Sequence, residues 1–242
     1  MICEKNFFVG LRDINSKKKL SDEGILGILE DIGSIHGNMV GYGIADTEKT
    51  HLSWVVLHWK VDIVNRPVYA QTIKVKTWLR KVDKIYFFRD YQIEDLEGNV
   101  LIRAASQWAL ISVDTGRIFR PTPDIIELFK VEDINVFANE PEMNKLKEPE
   151  KYDDIKDFVV PREYIDVNKH MNNIYYIDVA YEVLPEDVYF NTEFKYFEIN
   201  YRKQITLGEK LKCYYSLEGT THTVTLKSED GEQLHSVIIL KE

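Results

Sequence analysis

The 242-residue chain contains two cysteines, Cys3 and Cys213. That is too few for a disulfide framework and is compatible with a reducing cytosol. Cys213 falls in an alternating pattern, which predicts a buried structural thiol. No apolar run approaches the ~20 residues that a membrane-crossing helix needs, so membrane insertion is not expected. A basic excess is missing too. The formal net charge is −9, which argues against general nucleic-acid binding. Residues 1–11 are short, mixed and acidic, and they fail the signal-peptide pattern, so a cytoplasmic location is the expectation. Proline is scarce at seven residues, and four of them (Pro121, Pro123, Pro141 and Pro149) fall in one charged stretch.

What remains is an ordinary globular composition, 44% hydrophobic and 29% charged, long enough for one large or two smaller domains. Phe7–Leu11 is a strand candidate. A helix follows from Ser21, a good N-cap, with Asp22 and Glu23 in its first turn and Ile25, Ile28, Leu29, Ile32 and Ile35 as its apolar stripe. Strand patterns then run over 52–64, 71–82, 85–94 and 100–113, separated by Gly-containing turns. The proline-bearing section from about 120 to 155 reads as a connector, with a short helix at 124–130. The second half repeats the plan: a strand at 158–160, a helix at 173–184, and strands at 193–206, 209–217, 221–227 and 233–240. Laid over one another, the halves place Leu20 opposite Met171 and Leu101 opposite Leu234. The reading is an α+β internal duplication, a long helix wrapped by an antiparallel sheet, twice over.

One stretch concentrates polar chemistry. In Asp166-Val167-Asn168-Lys169-His170-Met171-Asn172-Asn173, an acid, an amide and an imidazole alternate. On an extended backbone they share one face. They precede a helix N-terminus, whose free N–H groups favour developing negative charge. Such a site is suited to polarising a carbonyl and bringing water to it. Asn172 and Asn173 read as caps and turn formers. On the overlay, Asp166, Asn168 and His170 fall opposite Asn15, Lys17 and Lys19, so only the second copy carries the constellation and one site per chain is expected. His36, His51, His58, His222 and His235 have no clustered partners in sequence and read as ordinary core or surface residues.

The segments Asp166–Tyr176 and Asn200-Tyr201-Arg202-Lys203-Gln204, with Trp54–Ile63, Arg66-Pro67, Thr77-Trp78, Trp108–Ile111 and Thr115–Arg117, resemble the acyl-acyl carrier protein (acyl-ACP) thioesterases. The resemblance covers nearly the whole chain. It implies two tandem hotdog domains, at 1–120 and 156–242 with a connector at 121–155, and hydrolysis of a fatty acyl thioester on acyl carrier protein without a cofactor or metal. It carries the family's functional aspartate, asparagine and histidine onto Asp166, Asn168 and His170. The family's remaining acid falls on Gln204, which cannot act as a base, although its amide can hold water or substrate. That departure leaves Asp166 as the base or nucleophile, with backbone N–H groups at 171–173 as the oxyanion site. It also implies that the helix at 21–36, through Ile28, Ile32 and Ile35, lines the acyl tunnel. A double hotdog already contains the pair of domains that single hotdogs obtain by dimerising, so a homodimer is compatible but not required.

Alternatives stay open at this point. One is an acyl-CoA thioesterase of the same fold, and another is a non-catalytic acyl-binding hotdog protein. A hydratase reading requires a proline within the motif and a histidine five residues after the aspartate. Here the histidine comes four residues after and no proline intervenes. Lys74, Lys76, Arg80, Lys81 and Lys84 form a basic run, either a solvated face or a docking surface for an acidic carrier protein.

Overall fold

Ser21 starts the long helix as its residue type predicts. In the computed structural model, which describes every residue except Pro141, its Oγ accepts from the Gly24 N–H at 2.9 Å and caps α1 (Asp22–Met39). Ile25, Leu26, Leu29 and Ile32 are fully buried and Ile28 nearly so, while Ile35 is half-buried. A helix with one buried stripe is held mainly by that stripe, each fully buried aliphatic side chain contributing about 1.5–3 kcal/mol.

The chain forms two units, Met1–Pro141 and Glu142–Glu242. In the first, β1 (Cys3–Phe8) precedes α1, followed by α2 (Thr47–Thr50), β2 (Leu52–Ile63), β3 (Thr72–Asp83), β4 (Tyr86–Glu94), β5 (Val100–Ser112), β6 (Ile118–Phe119) and α3 (Pro123–Leu128). The strands are antiparallel in the order β1-β3-β4-β5-β2, with β6 on β5. The second unit has β7 (Asp154–Val159), α4 (Tyr175–Val183), α5 (Glu186–Asn191), β8 (Tyr196–Tyr201), β9 (Lys210–Glu218), β10 (Thr221–Ser228) and β11 (Leu234–Lys241). Its order, β7-β9-β10-β11-β8, is the same topology element for element. The α+β expectation of a helix against an antiparallel sheet, twice over, is what the chain forms.

The stretch expected as a connector divides between the units. Ile125 and Phe129 are buried in the first unit's core with Leu79, Phe87 and Leu110. In the second, Glu148 pairs with Lys227, and the Tyr152 ring lies 4.8 Å from that of Tyr214. Pro141, one of the clustered prolines, lies outside the described residues. The first strand lies earlier than periodicity suggested. Phe8 is 61% exposed, and apolar content misleads on an edge strand that buries little. The strand expected at 193–206 is only Tyr196–Tyr201, because the Arg202 and Lys203 N–H groups both turn to the His235 carbonyl, at 2.8 and 3.3 Å. Cys213 is buried as expected, and burial pushes its thiol up to about 12. Among the described residues, no helix is long and apolar enough to cross a membrane.

Candidate active site

The Asp166–His170 segment is not extended, so strand alternation is not what gathers its polar side chains. It closes into a turn. The Asp166 N–H donates to the His170 carbonyl at 2.8 Å, the Lys169 N–H donates to the Asp166 carbonyl at 3.0 Å, and Lys169 sits at φ 65°. Asp166 Oδ1 accepts from the Asn168 and His170 N–H groups at 2.8 and 3.2 Å, the aspartate-turn pattern. That leaves Oδ2, which accepts from Asn168 Nδ2 at 3.2 Å.

The turn is clamped to the loop that follows β8. The Met171 N–H donates to the Ile205 carbonyl at 2.9 Å, and His170 bridges to Thr206. The structure thus brings Asp166, Asn168 and His170 to the backbone beside Gln204. Gln204 is exposed and makes no side-chain hydrogen bond among the described residues. Tyr176 of α4 is buried beneath them. Burial raises its phenol well above the usual range, the Glu209 and Asp166 carboxylates push the same way, and the phenol hydrogen-bonds the Ile205 backbone.

The expected oxyanion donors reduce to one. The Met171 N–H is taken by Ile205, the Asn172 N–H by the Tyr164 carbonyl at 2.8 Å, and the Ile174 N–H by Asn172 Oδ1 at 3.2 Å. The Asn173 N–H alone of these has no acceptor among the described residues, one residue before the Ile174 N-cap of α4, close to the positive end of the helix dipole. Its carbonyl accepts from the Tyr201 hydroxyl at 2.9 Å, which fixes that peptide.

The first unit contains the same construction. Asn15 N–H meets the Lys19 carbonyl at 2.8 Å, and Asn15 Oδ1 accepts from the Lys17 and Lys19 N–H groups at 3.0 and 3.2 Å. Lys18 takes φ 59°, the Leu20 N–H donates to the Pro67 carbonyl at 2.8 Å, and Lys19 bridges to Val68. The backbone is therefore common to both units, and the side chains differ. Asn15 stands for Asp166, Lys17 for Asn168, Lys19 for His170 and Arg66 for Gln204. Arg66 is buried and occupied, with Nη2 2.6 Å from Asp22 Oδ1 and Nη1 donating to the Leu20 carbonyl at 2.8 Å.

Sequence reasoning missed Glu209 and His235. His235 is 1% exposed; its Nδ1 lies 3.2 Å from the Lys203 carbonyl and its Nε2 3.0 Å from Glu209 Oε1. Glu209 Oε2 accepts from the Thr206 N–H at 2.9 Å and its hydroxyl at 3.0 Å. The sequence overlay also slips by one residue here. Leu101 corresponds to His235, not Leu234, since the Leu101 carbonyl accepts from Val64 and Asn65 as that of His235 does from Arg202 and Lys203. Counting the turn between the paired strands as one residue longer in the second half would have exposed the match. His36 is also partnered rather than ordinary, with Nδ1 2.7 Å from Arg89 Nη1.

The basic run is largely neutralised. Lys76 lies 2.7 Å from Glu94, Lys74 and Lys76 lie within 4.0 Å of Glu4, and Arg80 Nε donates to buried Asp90 at 3.1 Å. Of the other two, Lys81 lies 4.7 Å from the Phe88 ring centroid and Lys84 is exposed. Among the described residues, no three His, Cys, Asp or Glu side chains gather as a metal site would.

Residues 2–129 match the acyl-ACP thioesterase N-terminal domain and residues 147–240 the C-terminal domain. Oleoyl-acyl carrier protein thioesterase 1, chloroplastic, of Arabidopsis thaliana is 28% identical over 218 residues, 83% of this chain; the chain spans 60% of that relative's length. Among solved structures, an acyl-ACP thioesterase from Bacteroides thetaiotaomicron superposes with a TM-score of 0.86 at 19% identity, covering 99% of this chain and 97% of the other. The 12:0-ACP thioesterase from Umbellularia californica gives 0.85 at 19% identity, covering 99% and 96%. At that identity the likeness speaks for the hotdog fold of both halves. With a domain match on each half and the polar turn only in the second, the chain belongs to the acyl-ACP thioesterase family.

Proposed function

We propose that the protein hydrolyses the thioester between a fatty acyl chain and the phosphopantetheine arm of acyl carrier protein, releasing free fatty acid and ending chain elongation. The observation that carries this reading is the Asp166 turn, in which one carboxylate oxygen holds the backbone and the other, steadied by Asn168, faces away from that task. A thiolate is a good leaving group, since a free thiol has a pKa of about 8.5. Hydrolysis therefore needs little acid assistance, but it does need an activated water and a home for the oxyanion. Asp166 Oδ2 accepts the proton of a water as the water's oxygen attacks the carbonyl carbon. The Asn173 N–H stabilises the oxyanion, the C–S bond breaks, and the proton returns to the departing sulfur. Asn168 and Gln204 orient carboxylate and water, and His170 completes the hydrogen-bond network. Family membership and the shared fold support the acyl carrier protein as donor.

Thiol release, followed with a thiol-reactive dye, tests this on acyl chains of several lengths carried by acyl carrier protein and by coenzyme A. Steady release from the carrier substrates, faster than from coenzyme A, is the expected result. Release from coenzyme A alone would move the assignment to an acyl-CoA thioesterase. Tight acyl binding without turnover would make it a binding protein, and water addition to an enoyl thioester without thiol release would make it a hydratase.

A further inference from the structure

The loop that carries Gln204 is built the same way in both units but is tied down differently. In each, two consecutive N–H groups donate to one carbonyl of the neighbouring strand: Val64 and Asn65 to Leu101, Arg202 and Lys203 to His235. In each, a residue of positive φ (Ala70 at 66°, Gly208 at 72°) precedes a side chain that caps the loop. Gln71 Oε1 accepts from the Val68 N–H at 3.0 Å, and Glu209 Oε2 from the Thr206 N–H at 2.9 Å. A neutral amide thus suffices for the cap, and a leucine suffices at the position of His235.

The first unit has a second anchor. Arg66, in the middle of the loop, is bound through its side chain to Asp22 and to the Leu20 carbonyl. In the second unit the equivalent residue is Gln204, exposed and bound to nothing among the described residues. The missing anchor is supplied from outside. Buried His235 reaches the Lys203 carbonyl with Nδ1 and Glu209 with Nε2. The Nδ1 contact is a hydrogen-bond distance to a carbonyl, and the Nε2 contact is a close polar approach to a carboxylate oxygen rather than an aligned hydrogen bond. Glu209 then grips Thr206 by its N–H and its hydroxyl. The two ends of Lys203–Thr206 are held, and Gln204 between them is left free to face a ligand. The same segment's Ile205 and Thr206 receive Met171 and His170.

We infer that Glu209 and His235 are positioning residues for the site, a side-chain pair that holds the Lys203–Thr206 loop through Thr206 and the Lys203 carbonyl in the place of a side-chain anchor at position 204, and so sets Gln204 against the His170 turn. This rests on the thioesterase reading above. It adds the reason why the second unit carries Glu209 and His235 where the first has Gln71 and Leu101.

The test replaces the pair by what the first unit carries, His235→Leu with Glu209→Gln, a combination that this loop already tolerates elsewhere in the chain. The expected result is a drop in kcat of about tenfold with KM within about twofold, an unchanged far-UV spectrum, and faster amide exchange at 203–206. Glu209→Gln alone serves if the double variant folds poorly, and there about a threefold drop is expected. The cycle with Gln204→Ala separates positioning from general stability. Residues acting through one another are non-additive, so in the Gln204→Ala background the pair's replacement should cost less than twofold further. An unchanged kcat, or the same tenfold loss in both backgrounds, would overturn the inference while leaving the hydrolysis reading intact. Failure of the unaltered protein to release thiol from acyl carrier protein would overturn both.

Discussion

Asp166→Asn is expected to lower kcat by about a thousandfold, roughly 4 kcal/mol of transition-state stabilisation, while the thermal midpoint stays within about 2 °C. The first unit explains the second half of that expectation. At the same place in the same turn, Asn15 accepts from the Lys17 and Lys19 N–H groups at 3.0 and 3.2 Å, so an amide oxygen holds this backbone as well as a carboxylate does. What the substitution removes is Oδ2, the one atom of Asp166 that holds no backbone N–H. Its replacement by an NH₂ group loses the proton acceptor and puts a donor where water must give up a proton. Hydrolysis by this variant close to that of the unaltered protein would remove Asp166 from the chemistry.

A second large effect lies in the first unit and concerns stability. His36 is fully buried against Arg89, and burial first, then the adjacent guanidinium, lowers its pKa from 6.5 to about 3. In the unfolded chain the imidazole binds a proton below about 6.5, and in the folded protein only near 3. Between those values the unfolded state holds the extra proton, so stability is complete above pH 6.5 and falls as the pH drops. At 1.36 kcal/mol per unit, the loss from this residue is about 2 kcal/mol at pH 5 and about 4 kcal/mol by pH 3. Urea denaturation at pH 7 and pH 5, for the unaltered protein and for His36→Gln, isolates that share. The glutamine retains an acceptor for Arg89 but does not titrate, so the variant should be the less stable at pH 7 yet lose about 2 kcal/mol less on acidification. Equal losses in the two proteins would mean that His36 takes a proton without unfolding the core.

The elements most legible in sequence were those governed by one strong local rule. Ser21 caps α1 where its hydroxyl predicts, and β2 to β5 and β9 to β11 fall within a residue or two of the expected bounds, because Val-, Ile- and aromatic-rich runs between turns mark strands whether they bury alternate residues, as β9 does, or consecutive ones, as β4, β10 and β11 do. Edges were harder. β1 and β7 bury little, so apolar content did not mark them, and β8 stopped early because of hydrogen bonds to the His235 carbonyl. The site was half legible. Asp166, Asn168 and His170 are close in sequence, and the folded chain keeps them in one turn. Glu209 and His235 meet Thr206 and Lys203 through contacts that have no local pattern, and His235 looks like any other strand residue.

By itself the sequence determined the duplication, the family and the single copy of the polar turn, since hydrophobic period and residue type suffice for these. Tertiary structure alone decided how each polar atom is used. Whether the oxygens of Asp166 hold the backbone or are left for chemistry depends on which N–H groups the folded turn points at them. Whether Gln204 is free depends on what else holds its loop. Both follow from hydrogen-bond partners that only folding brings within 3 Å or so.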